Sequence, residues 1–301
     1  PPPPPPFQAE DGIRDIHCSL VGSEMCIRDR LHIVHRDVAR GGHLMVNIRK
    51  FTGVAYRSLD ELVARDMLTD RVARFLRACV AARQTIVFAG APGAGKTTLL
   101  TCCAAELDPG LRVVVAEEVF EADIPLANVA SLQTRAARAD RREVDLRRLV
   151  AGFLRMAPDI AIVGEVRDRE ALPLLLTLSS GVKGFTTIHA GSARQALSRL
   201  RLVAQLAAGD LPIAALNALV SESIDVVVHT SRTAAGPRLT EVLCVEDLVA
   251  GVDSPHFTAT SAIIRDPGTG RLRPTGARPQ RLADRFEAAG YSTAELLEMA
   301  T

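Results

Sequence analysis

A chain of 301 residues has room for one large domain, or for a medium domain with a smaller companion. Hydrophobic residues make up 48% and aromatics only 4%, so the core must come from Ala, Val, Leu and Ile, which suits a buried sheet under helices and fits an Ig-like sandwich or a propeller poorly. The formal net charge of +1 gives no electrostatic case for a nucleic-acid partner, and none is expected to bind directly.

The six cysteines show no ligand spacing and read as buried thiols of a reducing compartment. There is no run of 18 apolar residues and no signal-peptide pattern, so a soluble cytoplasmic protein is expected.

In chain order, residues 1–30 look foreign. Pro1 to Pro6 are a homopolymer, and Phe7 to Arg30 shows neither helical nor strand periodicity. Its QAEDGIRD and CSLVGSEMCIRDR stretches resemble translated sequencing adapter. This segment is expected to be non-native and disordered, in place of a lost native N-terminus. Residues 31–56 alternate loosely around a Gly41-Gly42 turn and a strand-like HLMVNIRKF, and read as the remnant of a truncated small N-terminal domain.

Residues 57–301 carry the main domain. Apolar residues from Ser58 to Ala82 recur at three and four, predicting an amphipathic helix broken near Met67 to Thr69. Short apolar runs at Gln84–Ala89, Leu111–Ala116, Ile160–Gly164, Gly184–Ile188 and Ile224–His229 predict buried strands. Helical stretches at Thr97–Glu106, Leu146–Arg155, Glu170–Ser179 and Ala193–Ala208 separate most of them. That alternation predicts an α/β fold with a mostly parallel sheet and flanking helices. The tail predicts a hairpin, Ala262–Arg265 with Arg271–Pro274, then helices at Pro279–Ala289 and Thr293–Met299.

Gly90-Ala91-Pro92-Gly93-Ala94-Gly95-Lys96-Thr97-Thr98 satisfies the Gly-x4-Gly-Lys-Thr pattern, after a predicted strand and before a predicted helix. The glycines let backbone amides face a polyphosphate, and the helix N-terminus adds to that cradle. Lys96 is expected to reach the β- and γ-phosphates of ATP and Thr97 to offer its hydroxyl to Mg²⁺. An acidic partner is needed at a neighbouring strand end, where carboxylates point into the crevice. Two groups qualify: Glu117-Glu118, with Glu121 following, and Glu165. Glu117 is the first choice to position the attacking water. Glu165 would order the metal's outer shell or share that task, and Thr97, Glu118 and Glu165 are the candidate metal residues. His189, ending another strand, can report the γ-phosphate through a hydrogen bond.

With these residues laid out, the chain resembles the type II/type IV secretion ATPase superfamily. It looks most like the ATPases of Tad-type pilus assembly, with the conjugation-system ATPases nearby. Gly90–Thr98 is similar to the family's Walker A box, Ala116-Glu117-Glu118 with Glu121 to its acidic box, and Gly164-Glu165-Val166-Arg167 to its Walker B box. Thr186–Ala190 is similar to its histidine box, and LQTR (Leu132–Arg135) to the segment whose arginine acts across a subunit interface. Arg138 and Arg147 are further candidates for that role; any of the three could instead be a solvated face. The resemblance implies a RecA-like P-loop NTPase that hydrolyses ATP as a cytoplasmic homo-hexamer. Such a motor works at the inner face of the membrane by driving an inner-membrane platform protein, in pilus assembly or protein secretion across the inner membrane or, alternatively, in conjugation (type IV secretion). Glu118 stands where the family usually has Asp, Gly191 where Asn often follows His-Ala, and Ala157 where Arg often precedes Pro. A regulatory nucleotide-binding module is the rival from another class, and the retained Glu117, Glu121, Glu165 and His189 speak against it.

Overall fold

The computed structural model describes residues 30–34, 40–49, 56–137, 140–247 and 257–297, which divide between Val54 and Ala55 into two units. The foreign reading of residues 1–29, the Lys50-Phe51 end of the N-terminal motif, Arg138 and the final residues to Met299 lie outside the described residues.

In the smaller unit, β1 (Arg30–Val34) and β2 (Met45–Arg49) pair antiparallel, Arg30 with Arg49 through Val34 with Met45. A turn of 3₁₀ helix at Arg40–Gly42 lies between them.

The larger unit starts with α1 (Leu59–Ala64) and α2 (Asp70–Ala81), each opened by a hydroxyl cap. Ser58 Oγ accepts from Glu61 N and Thr69 Oγ1 from Val72 N. The break between them contains Asp66 at φ 56°, a conformation that ends a helix. Next come β3 (Ile86–Gly90), α3 (Lys96–Ala104), β4 (Val113–Glu117), β5 (Val129–Gln133) and α4 (Leu146–Ala151). They are followed by β6 (Ile160–Val166), α5 (Ala171–Ser179), β7 (Lys183–Ile188), α6 (Ala193–Ala208) and α7 (Ile213–Ser223). The chain closes with β8 (Val226–Thr233), β9 (Gly236–Val245), β10 (Ala259–Arg265), β11 (Leu272–Pro274), α8 (Gln280–Ala288) and α9 (Thr293–Leu297).

One sheet runs β11-β10-β9-β8-β3-β7-β6-β4-β5. From β8 to β5 every neighbouring pair is parallel, and β8 to β11 continue antiparallel. This is the mostly parallel α/β arrangement expected. All five residues of β3 and of β4 are buried, as strands covered on both faces must be. Ile86 and Phe88 pack with α1, α2, α3 and α8 through Leu62, Phe75, Leu100 and Phe286. Val87 and Ala89 face the other way, toward Val150, Leu174, Leu197 and Val220 of α4 to α7.

Three elements were not anticipated. Strand β5 is half buried at the sheet edge, so its VASLQ lacks the continuous apolar run that marks the inner strands. Helix α7 buries Leu216 and Val220 in a short, mostly apolar stretch, where helix and buried strand read alike. The β8–β9 hairpin extends the predicted Ile224–His229 strand to Thr233. It turns through two alanines into Gly236 at φ 104°, without the Asn-Gly or Asp-Gly signal of a two-residue turn.

Asp225, 3% exposed, ties helix α8 to the sheet. Its carboxylate accepts from Thr85 N at 2.8 Å, Arg281 at 2.6 Å, Lys183 Nζ at 3.3 Å and also Arg285. Removing one partner of a buried ionic cluster strands the others, so Asp225→Ala is expected to destabilise the unit by about 3–5 kcal/mol. The denaturation midpoint checks this: a shift of under about 1 kcal/mol, the worth of an exposed ion pair, would show the cluster to be incidental.

Candidate functional site

The active edge is the one where the parallel strands end. Strand β3 stops at Gly90 (φ 151°), where the backbone of β8 comes so close that a Cβ would meet Thr230 O at 2.2 Å. Ala91, Pro92 and Gly93 form an exposed rim, Ala94 is buried, and Ala94 N donates back to Ala91 O at 3.2 Å. Gly95 is the N-cap of α3 in the left-handed region (φ 84°) and brings no side-chain hydrogen bond, so the first-turn amides of Lys96, Thr97 and Thr98 have no capping side chain. Unfilled amides at the start of a helix form an anion cradle.

Lys96 is 7% exposed, and its Nζ reaches Ala91 O at 3.1 Å and His189 Nδ1 at 3.2 Å. His189 follows β7, the strand beside β3. Its Nε2 lies 2.7 Å from Glu165 Oε1, and Glu165 in turn accepts from Arg167 at 2.7 Å. Arg167 also donates to Glu118 at 2.9 Å. Four of the sequence candidates, Lys96, His189, Glu165 and Glu118, are therefore joined in one chain of contacts.

Two placements of the His189 proton fit these contacts. A proton on Nε2 serves Glu165 and leaves the Nδ1 lone pair to accept from the Lys96 ammonium. A proton on Nδ1 would instead be donated to Gly90 O at 3.3 Å. Burial lowers the His189 pKa below the ordinary histidine value; Glu165 works against this and Lys96 adds to it. Burial alone would raise the Glu165 carboxyl. The hydrogen bond and charge of Arg167, then His189 and Lys96, outweigh it and hold the carboxyl below its ordinary value. The resting state is thus a carboxylate, a neutral ring and an ammonium.

The sign of the pH effect follows. Between 6.5, the ordinary histidine value, and its lowered value in the fold, His189 binds less proton folded than unfolded, so its contribution to stability falls with falling pH through that window. Protonated, Nδ1 becomes a donor facing Lys96. Phosphate release is expected to decline on an acid limb lying below 6.5, and His189→Gln should remove the limb. A limb of the same shape in both proteins would assign it elsewhere.

Glu117 takes a different setting. It ends β4, is 3% exposed, and its Oε1 accepts from Glu121 N at 3.2 Å and Ala122 N at 3.0 Å. Gly164 of β6 makes room for it, since a Cβ there would come within 2.8 Å of Glu117 Cγ. Arg135 lies just past β5, exposed, pinned by a two-way backbone bridge to Val144, with its guanidinium donating to Arg142 O at 3.2 Å. Strand β5 is four strands from β3, about 19 Å at the usual spacing, so Arg135 cannot reach its own P-loop. Arg147 is exposed on α4.

Arg167 was quoted in the sequence only as part of a box, not as a site residue. The signal was available: it is two residues beyond Glu165, and strand alternation returns it to the same side.

Residues 31–276 match the family described as "Type II/IV secretion system protein". The conjugal transfer protein TrbB of Rhizobium radiobacter is 35% identical over 62% of this chain and 56% of its own length. The type IV secretion system protein PtlH of Bordetella pertussis is 38% identical over 53% of this chain and 49% of its own. The chain thus spans about half the length of these curated relatives. Among solved structures, the VirB11 ATPase of the Brucella suis type IV secretion system, crystallised with sulphate, superposes with a TM-score of 0.51 at 26% identity, covering 74% of this chain and 72% of the other. With its family match running over most of its residues, the chain belongs to the type II/IV secretion system protein family.

Proposed function

We propose that this chain is the catalytic part of an ATP-hydrolysing motor that serves a conjugation-type secretion machine. The observation that carries the reading is the contact chain from the P-loop lysine through His189 to Glu165, at the edge where parallel strands end. The relatives named above are conjugal transfer and type IV secretion proteins, which favours the conjugation reading over the pilus-assembly reading made from sequence.

The residues fit magnesium–ATP. The uncapped amides of α3 and the Lys96 ammonium would hold the phosphates. Among the described residues no three His, Cys, Asp or Glu side chains are arranged as a metal cage. Magnesium would therefore rest on phosphate oxygens, the Thr97 hydroxyl and water, with Glu165 and Glu118 outside them. When bound, the ion neutralises charge that develops on the transferred phosphoryl group. Lys96 would leave His189 for the phosphates, and Glu165 would keep the ring oriented. Glu117 remains the candidate to position water, its carboxylate fixed by two loop amides beside Gly164.

The domain reading belongs to the same proposal: residues 57–301 as the RecA-like ATPase domain and 31–56 as part of an N-terminal domain. So do a homo-hexamer, an inner-membrane platform as its partner, and a place on the cytoplasmic face of that membrane. Among the described residues no helix is long and apolar enough to cross a membrane. Arg135, out of reach of its own P-loop, would complete a neighbour's site. Magnesium-dependent phosphate release by the full chain, measured against protein concentration, tests the reading. Release that rises more steeply than concentration is expected; nucleotide binding without release at any concentration would favour a regulatory module.

A further inference from the structure

Lys96 is not the only cation at the P-loop. Arg232 is exposed near the end of β8, where the chain turns toward β9. Its guanidinium occupies the room left by the missing side chain of Gly93 (φ 73°): a Cβ there would lie 3.2 Å from Arg232 Nη1 and 3.8 Å from its Cδ.

The arm that carries Arg232 is locked to the loop it faces. Gly90 pairs with Thr230 in the parallel register of β3 and β8, at the close approach that Gly90 allows. Thr230 Oγ1 donates to Ala89 O at 3.2 Å. On the far side Arg232 pairs with Pro237, and Thr233 Oγ1 closes the turn by donating to Gly236 O at 2.8 Å. Main-chain pairing of Arg232 to β9, and of Thr230 to β3 two residues earlier, sets the position of Arg232, and it belongs to the same chain as the P-loop.

The two flanks of β3 carry different chemistry. On the β7 and β6 flank stand His189 and Glu165, in contact with Lys96. A P-loop lysine serves the β- and γ-phosphates, so that flank holds the γ end. Arg232 comes from the opposite flank, beside Gly93 of the loop that wraps the phosphates. We infer that Arg232 is a second phosphate-binding cation, supplied in cis, which grips the α- and β-phosphates common to nucleoside di- and triphosphates. A guanidinium offers two parallel donors to phosphate oxygens, which an ammonium cannot match. The inference deepens the proposed function and rests on its nucleotide site.

The test is calorimetric titration of magnesium–ADP and magnesium–ATP into the full chain and its Arg232→Ala and Arg232→Lys variants, with circular dichroism to verify the fold. Arg232→Ala should weaken both nucleotides by the same factor, on the order of tenfold for a charge-assisted contact that is partly screened by water. Arg232→Lys should fall between the two. Unchanged ADP affinity in Arg232→Ala overturns the inference, and so does a loss confined to ATP, which would move the contact to the γ-phosphate. A wild-type chain that binds neither nucleotide instead removes the nucleotide site itself, so the two failures are told apart.

Discussion

Lys96→Ala is expected to lower magnesium-dependent phosphate release by on the order of 10²–10³-fold, the usual loss when a preorganised donor to developing charge is removed. The side chain is nearly fully buried and held from two directions, by Ala91 O and His189 Nδ1, so its position does not have to be found during the reaction. Its removal also takes away the positive neighbour that helps to keep Glu165 ionised. Fold and sheet should survive, because Lys96 sits in the first turn of α3 and contributes no apolar packing to either face of the sheet. Phosphate release reduced less than about tenfold would deny Lys96 the role that P-loop chemistry gives it.

Arg135→Ala should have an effect of comparable or larger size, but only in assembled protein. An arginine supplied in trans raises turnover by about 10³–10⁵ in other P-loop enzymes. Here the distance across β7, β6, β4 and β5 excludes action on its own nucleotide. The backbone bridge to Val144 holds the residue at the outer edge of the sheet, exposed to a neighbour. Phosphate release by the variant, followed as chain concentration rises, should stay at the dilute level where the wild type climbs. An equal loss in dilute, unassembled chains would place the effect within one subunit and contradict the trans role.

Which parts of the molecule could be read in advance follows from how far apart the interacting residues lie in sequence. The inner strands announced themselves because IVFAG and VVVAE are buried on both faces and carry no polar alternation. The P-loop did so because its spacing is local, nine residues running from the end of one strand into the first turn of one helix. Pairing between strands is not local. Nothing in the SRTAAGPR stretch shows that Thr230 will lie against Gly90 and bring Arg232 over Gly93. Likewise the candidates Glu165 and His189 could be named from their strand ends, but their direct contact depends on β6 and β7 being neighbours. The sequence prefers Glu117 for water but does not separate its role from that of Glu165. In the fold one is enclosed by loop amides and the other joins the lysine through histidine, a difference set by strand order.

The cysteines gave a simpler lesson. Cys79, Cys102, Cys103 and Cys244 are buried and unbridged, and burial pushes the Cys102 thiol up to about 12, which leaves it protonated and unreactive at neutral pH. These four side chains fill the core as small apolar groups, and Cys18 and Cys26 lie outside the described residues.

The nucleotide site is tested most directly by titrating magnesium–ATP into the full chain and into Lys96→Ala under the same conditions. The expected result is saturable binding of one nucleotide per chain, weakened at least about tenfold in the variant, the equivalent of one charge-assisted contact. Absence of binding to the wild type, or equal binding by a correctly folded Lys96→Ala, would contradict it.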